Sequence, residues 1–113
     1  MHEYSIVQAL LARVEQEARA RGASAVLRVN VSVGVVSGVE PELLATAYEF
    51  FRAHTLCERA DLNIRRIEER WACPACMTTI ESGAVLRCGR CGGPARLIQG
   101  GEIMLERIEM EVP

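Results

Sequence analysis

Lysine is missing from these 113 residues: all thirteen basic side chains are arginine, set against fifteen acids for a formal charge of -2. A chain without a positive excess lacks the global field that non-specific nucleic-acid binding exploits. Aromatic residues make up only 4%, which leaves few platforms for stacking bases. The arginine-only usage reads as the composition of a GC-rich genome rather than as a functional choice. Half the residues are hydrophobic, yet no apolar run approaches the roughly 20 residues needed to span a bilayer. The start also lacks the basic and apolar regions of a signal peptide, so the expected location is cytoplasmic, with no membrane and no nucleic acid as partner. Histidine occurs only at His2 and His54, and there is no internal repeat or low-complexity tract.

This length suits one compact domain, or a small core plus a metal-stapled module too short to bury a core of its own. Five cysteines would leave one unpaired in a disulfide framework. Four of them instead form two pairs, Cys73-x2-Cys76 and Cys88-x2-Cys91, with eleven residues between. That spacing lets a short hairpin bring two knuckles around one ion. Four thiolates leave no open coordination position, so the expected ion is structural zinc, with an iron site or a redox dithiol as the alternatives. Glycines beside the second pair, in Cys88-Gly89-Arg90-Cys91-Gly92-Gly93, let backbone approach sulfur and adopt positive φ. Cys57 stands outside the pairs and reads as a buried small hydrophobe.

Apolar residues at 7, 10, 11, 14 and 18 predict an amphipathic helix over about 4–21, capped at its end by Gly22. Ser5 and Gln8 offer a capping box, which would leave Met1 to Glu3 as a free arm. Residues 25–34 alternate, with Ala25, Leu27, Val29, Val31 and Val33 on one predicted face and Arg28, Asn30 and Ser32 on the other. Pro41 opens a second helix whose apolar face is expected at Leu43, Ala47, Phe50, Phe51 and His54. A second strand over 62–67 runs through Trp71 into the cysteines, and 96–99 pairs within the ribbon. In the tail, 102–112, apolar parity changes between Leu105 and Ile108, so either a bulge lies there or both faces are partly covered. The result is an α+β fold: a small three-stranded sheet with two helices, 1–70 with 101–113, and an inserted zinc-ribbon domain, 71–100. The ribbon hangs on two crossings of the chain.

The opening Met1-His2-Glu3 is a second candidate site. A free α-amine, the backbone amides of His2 and Glu3, and the His2 imidazole together supply four nitrogen donors. Such a near-planar set suits Ni(II) or Cu(II) and not Mg or Ca. The Irving-Williams order favours copper, so affinity alone does not select nickel. The amine and imidazole must lose protons first, and acid should release the ion.

The chain resembles the HypA/HybF family, nickel-insertion accessory proteins of NiFe-hydrogenase maturation. The resemblance rests on Met1-His2-Glu3-Tyr4-Ser5, on Gly34-x3-Gly38-Val39-Glu40-Pro41-Glu42, on Cys73-Pro74-Ala75-Cys76, on the second cysteine pair, and on Gly100-Gly101-Glu102 with Ile108-Glu109-Met110-Glu111. It implies a nickel metallochaperone, not an enzyme, in which Met1, His2 and Glu3 bind Ni(II) and Cys73, Cys76, Cys88 and Cys91 bind zinc. It also implies handover to the hydrogenase large subunit with the GTPase HypB, and in some members a role with urease maturation proteins. Glu40 matches the acidic residue of the Gly-Val-Glu-Pro segment, without an evident role. Two departures stand out: no histidine accompanies the zinc cysteines, where Met77 follows Cys76, and Gly101 replaces a frequent Asp. A histidine-based zinc switch is therefore not expected here.

The competing class is a zinc-ribbon module for nucleic acid or protein contacts without nickel function, supported by Arg87, Arg90 and Arg96 near the knuckles. An enzyme reading needs a reactive thiol or an open metal position, which four converging cysteines withhold.

Overall fold

The computed structural model describes residues 2–81, 83 and 85–113. Two helices and six strands follow in the order α1 (His2–Ala20), β1 (Ala25–Gly34), α2 (Pro41–Phe51), β2 (Asp61–Ile67), β3 (Arg70–Ala72), β4 (Thr79–Ile80), β5 (Arg96–Gln99) and β6 (Ile103–Glu111). They form two three-stranded sheets, β2-β1-β6 and β4-β3-β5, so the α+β expectation holds. Strands β1 and β2 are parallel and need a crossover, which α2 supplies; β6 returns antiparallel on the other side of β1.

One face of the larger sheet carries both helices. Val7, Leu11, Val14 and Ala18 of α1 meet Val26, Val29, Val31 and Val33 of β1, and Leu44, Ala47 and Tyr48 of α2 complete the core. Helix α1 ends as its sequence indicates: Gly22 takes φ 65, while the amides of Gly22 and Ala23 donate to the carbonyls of Arg19 and Ala18.

Four expectations need correction. Helix α1 begins at His2, so Ser5 lies within its first turn rather than at a cap, and His2 and Glu3 of the expected free arm are helical. The second helix buries Leu44, Ala47 and Tyr48, whereas Leu43 and Phe50 are 47% and 72% exposed and His54 lies beyond its end. On β1, pairing jumps from Val26↔Met110 to Arg28↔Glu109; Leu27 is the extra residue of a bulge, which turns it to solvent and brings Val26 inward. Ser32, on the expected polar face, is buried at the junction with the ribbon, in a cleft it shares with Ile67, Leu97 and Gly100. The parity change in the tail is a second bulge: Asn30 pairs with Arg107 and Val31 with Leu105, which leaves Glu106 extra.

The smaller sheet joins the larger through two strands of chain, and the end of β1 knits both. The Gly34 amide donates to the Glu102 carbonyl (2.8 Å), that of Val35 to Ile67 (3.0 Å) and that of Val36 to Gly100 (2.9 Å). A Cβ on Gly34 would fall 2.1 Å from the Gly100 oxygen, so only glycine permits this approach.

Candidate metal centres

The four cysteines of the two C-x2-C pairs converge. Their Sγ atoms all lie within 4.8 Å of one another, with Cys73 and Cys91 3.5 Å apart. Tetrahedral zinc with Zn–S bonds of about 2.3 Å has sulfur–sulfur edges of about 3.8 Å, which these separations bracket. The donor set therefore fits a structural zinc site.

Both knuckles are built the same way. The amide of the residue four after the first cysteine donates to that cysteine's carbonyl: Met77 to Cys73 (2.8 Å) and Gly92 to Cys88 (2.9 Å). Each first cysteine's amide in turn reaches the residue five positions on, Cys73 to Thr78 (2.9 Å) and Cys88 to Gly93 (2.8 Å). Further amides point at sulfur, from Cys76 to Cys73 (3.4 Å), from Arg90 to Cys88 (3.3 Å) and from Gly93 to Cys91 (3.4 Å). Amides from Cys91 and Arg90 pull the Cys88 thiol down to about 6, whereas crowding by the sulfurs of Cys91, Cys88 and Cys73 pushes Cys76 up. One thiolate thus forms readily, and a cation is needed to hold four together. Cys73 and Cys88 are buried, and Cys91 is exposed at the rim.

The second candidate lies at the start of α1. Met1 falls outside the described residues. His2 opens the helix with its side chain exposed, and Glu3 is 8% exposed. The Glu3 carboxylate accepts the Glu40 amide at 3.1 Å. That bond is available because Pro41 holds Glu40 extended, at φ -85 and ψ 116, as the residue before proline must be. The Glu40 amide, Glu3's own amide and the nearby His2 ring hold this carboxyl below the usual carboxylate range. The first amides of a helix have no intrahelical acceptor, so the backbone donors at His2 and Glu3 are not tied into the helix ladder. This docking of Glu3 under the second helix escaped the sequence reading, although Gly38-Val39-Glu40-Pro41 signals the turn that supplies the amide. Glu40 thus has a structural part through its backbone.

Among the described residues those selected from the sequence form two separate groups, four sulfurs in the ribbon and His2 with Glu3 at the start of α1. His54 belongs to neither: it sits at φ 65 with its side chain 95% exposed, 3.9 Å from Glu58. Cys57 is fully buried, and that burial raises its pKa. Among the described residues no helix is long and apolar enough to cross a membrane.

Comparison with known proteins gives one consistent family. Residues 1–110 match the family model described as "Hydrogenase/urease nickel incorporation, metallochaperone, hypA". A hydrogenase maturation factor HypA of Shewanella baltica is 40% identical over 113 residues, covering 98% of this chain and 97% of that protein. The solution structure of the nickel metallochaperone HypA from Helicobacter pylori superposes with a TM-score of 0.75 at 30% identity, over 98% of both chains. A second HypA solution structure gives 0.82 at 31% identity, covering 100% of this chain and 98% of that one.

Proposed function

This chain belongs to the HypA family of nickel-incorporation metallochaperones in hydrogenase maturation, and from that premise we propose that it carries Ni(II) on Met1, His2 and Glu3. In this reading it passes the ion to the large subunit of a NiFe-hydrogenase in the cytoplasm, together with HypB, and serves urease maturation proteins where these are present. It is a carrier rather than an enzyme.

The observation that supports the reading best is the Glu3–Glu40 hydrogen bond. It ties down the side chain of Glu3 while the neighbouring His2 ring stays exposed. Nitrogen donors from the Met1 amine, the amides of His2 and Glu3 and the His2 imidazole suit a borderline divalent ion. A helix N-terminus carries roughly half a positive charge, which opposes a bare dication. Loss of amide protons on coordination offsets that repulsion, so binding is pH-dependent and weaker than in a buried cage. Both properties suit a protein that must give up its cargo.

Within the same proposal, Cys73, Cys76, Cys88 and Cys91 hold zinc, which organises residues 71–100 as a module beside the nickel-binding part, 1–70 with 101–113. Zinc supplies a four-sulfur cross-link and no open position for chemistry.

Titration of the zinc-loaded chain with Ni(II) tests the site. A chain extended by a few residues before Met1 loses the terminal amine donor and should bind about tenfold or more weakly, as should His2→Ala. Binding should also weaken as pH falls, because protons compete with the metal for the nitrogen donors. Zinc content should stay the same throughout. Equal nickel affinity with and without the extension, or after removal of the His2 ring, overturns the assignment.

A further inference from the structure

The ribbon sheet has two unlike faces. Trp71 pairs with Ile80 on one side and Leu97 on the other, and all three are half-buried. On the opposite face Arg70 and Arg96 flank an open groove of about 400 Å³, floored by Ala72 and Thr79 and bordered by Met77 and Ile98. Met77 is 83% exposed and Ile98 51%. Two exposed apolar side chains thus share one groove with two cations.

Charge is divided unevenly along the chain. Between residues 70 and 99 stand four arginines, Arg70, Arg87, Arg90 and Arg96, against the single acid Glu81; the rest holds nine arginines against fourteen acids. Seven of those nine are in ion pairs with Glu neighbours. Among the described residues neither Arg70 nor Arg96 has an ion pair or a side-chain hydrogen bond. Four thiolates around a dication leave a formal charge of -2 in the knuckles, but Cys73, the cysteine that borders the groove, is 1% exposed and already receives an amide. The charge that the groove shows to solvent is that of the two guanidiniums.

We infer that this groove docks an acidic segment of a partner protein, with carboxylates on Arg70 and Arg96 and an apolar side chain between them on Ile98 and Met77. Guanidinium groups pair with carboxylates in two-pronged fashion, which fixes register as well as affinity. Nucleic acid fits the face less well. The one tryptophan lies on the other side of the sheet, and no aromatic lines the groove to stack a base. The inference is independent of where nickel binds.

Fluorescence anisotropy on the full, zinc-loaded chain tests it, with a labelled ten-residue peptide alternating Glu and Leu as probe. Its Gln/Leu counterpart and a ten-nucleotide single strand serve as comparisons. The acidic peptide should bind, more weakly as salt rises, and the double variant Arg70→Glu with Arg96→Glu should lose about tenfold or more in affinity. Arg59→Glu with Arg66→Glu makes the same change in net charge away from the groove and should lose less than twofold. Ile98→Ser should weaken the peptide without altering its salt dependence. Zinc content and nickel binding report that the variants are folded, and both should match the parent chain. No peptide binding, equal binding of the neutral peptide, tighter binding of the oligonucleotide, or an equal loss in the control pair overturns the inference.

Discussion

The two zinc knuckles are nearly the same object made from different residues, and one position shows the cost of that difference. Gly92 and Met77 occupy equivalent places, each four residues after the first cysteine of its pair, and each has positive φ, 72 and 60. Glycine takes this conformation freely, whereas a side chain there costs about 1–2 kcal/mol. Met77 is 83% exposed, so no packing compensates within the chain. Gly92→Ala should therefore destabilise the zinc-loaded ribbon by about 1 kcal/mol. Met77→Gly should gain stability despite loosening the unfolded chain, because relief of the left-handed strain exceeds the backbone entropy term of about 0.4–1 kcal/mol. Competition with a chelator at fixed zinc reads both. A loss on Met77→Gly would mean that the methionine side chain contributes to the knuckle in a way its exposure does not suggest.

At the level of elements, the junction is where a small change should travel furthest. Gly34 ends β1 with its α-carbon against the Gly100 carbonyl, and a methyl group there meets backbone rather than a side chain that can swing aside. Gly34→Ala should cost about 3 kcal/mol, the upper end of ordinary overpacking, in chemical denaturation. It should also speed amide exchange at Val36, whose partner is that same carbonyl. Gly38→Ala, where φ is 81 but no atom lies within 4 Å, should cost only about 1 kcal/mol. The sequence pattern shows Gly34 beginning a loop, yet nothing local shows that a residue 66 positions away will press on it. The same limit explains the other differences. Strand β1 and its bounds are legible from alternation, but the bulge at Leu27 depends on how β6 pairs with it, and pairing is a non-local choice. The bulge at Glu106 could be read as one of two alternatives because the parity of β6 itself breaks there. Helix α2 misled by one residue because Leu43, Leu44, Phe50 and Phe51 come as apolar doublets, and the doublet alone does not say which member faces in. The cysteine cluster was fully legible, since C-x2-C spacing encodes its own geometry. The Glu3–Glu40 contact was not, because it joins the starts of two helices 37 residues apart.

For the whole molecule, the question is whether the two sheets stand or fall together when the metal is removed. The principal hydrophobic cluster draws on α1, β1, α2, β2 and β6 and contains no residue of β3, β4 or β5. The ribbon buries Cys73 and Cys88 among its hydrophobic positions, so its stability comes from the ion that joins its cysteines. Without zinc nothing cross-links the four cysteines, and a segment of this size cannot fold on its apolar area alone. The single tryptophan, Trp71, sits between Ile80 and Leu97, with its indole NH on Glu69 at 2.8 Å. It is a reporter of the ribbon alone. Chelation of zinc should shift Trp71 emission to the red, as that side chain becomes hydrated, while the far-UV helix signal of α1 and α2 persists. Two of the junction bonds, Gly34 to Glu102 and Val35 to Ile67, join groups that remain ordered with the larger sheet and should keep their amide protection. Simultaneous loss of the helix signal and the tryptophan shift would instead mean that the ribbon closes the larger sheet as well as hanging from it.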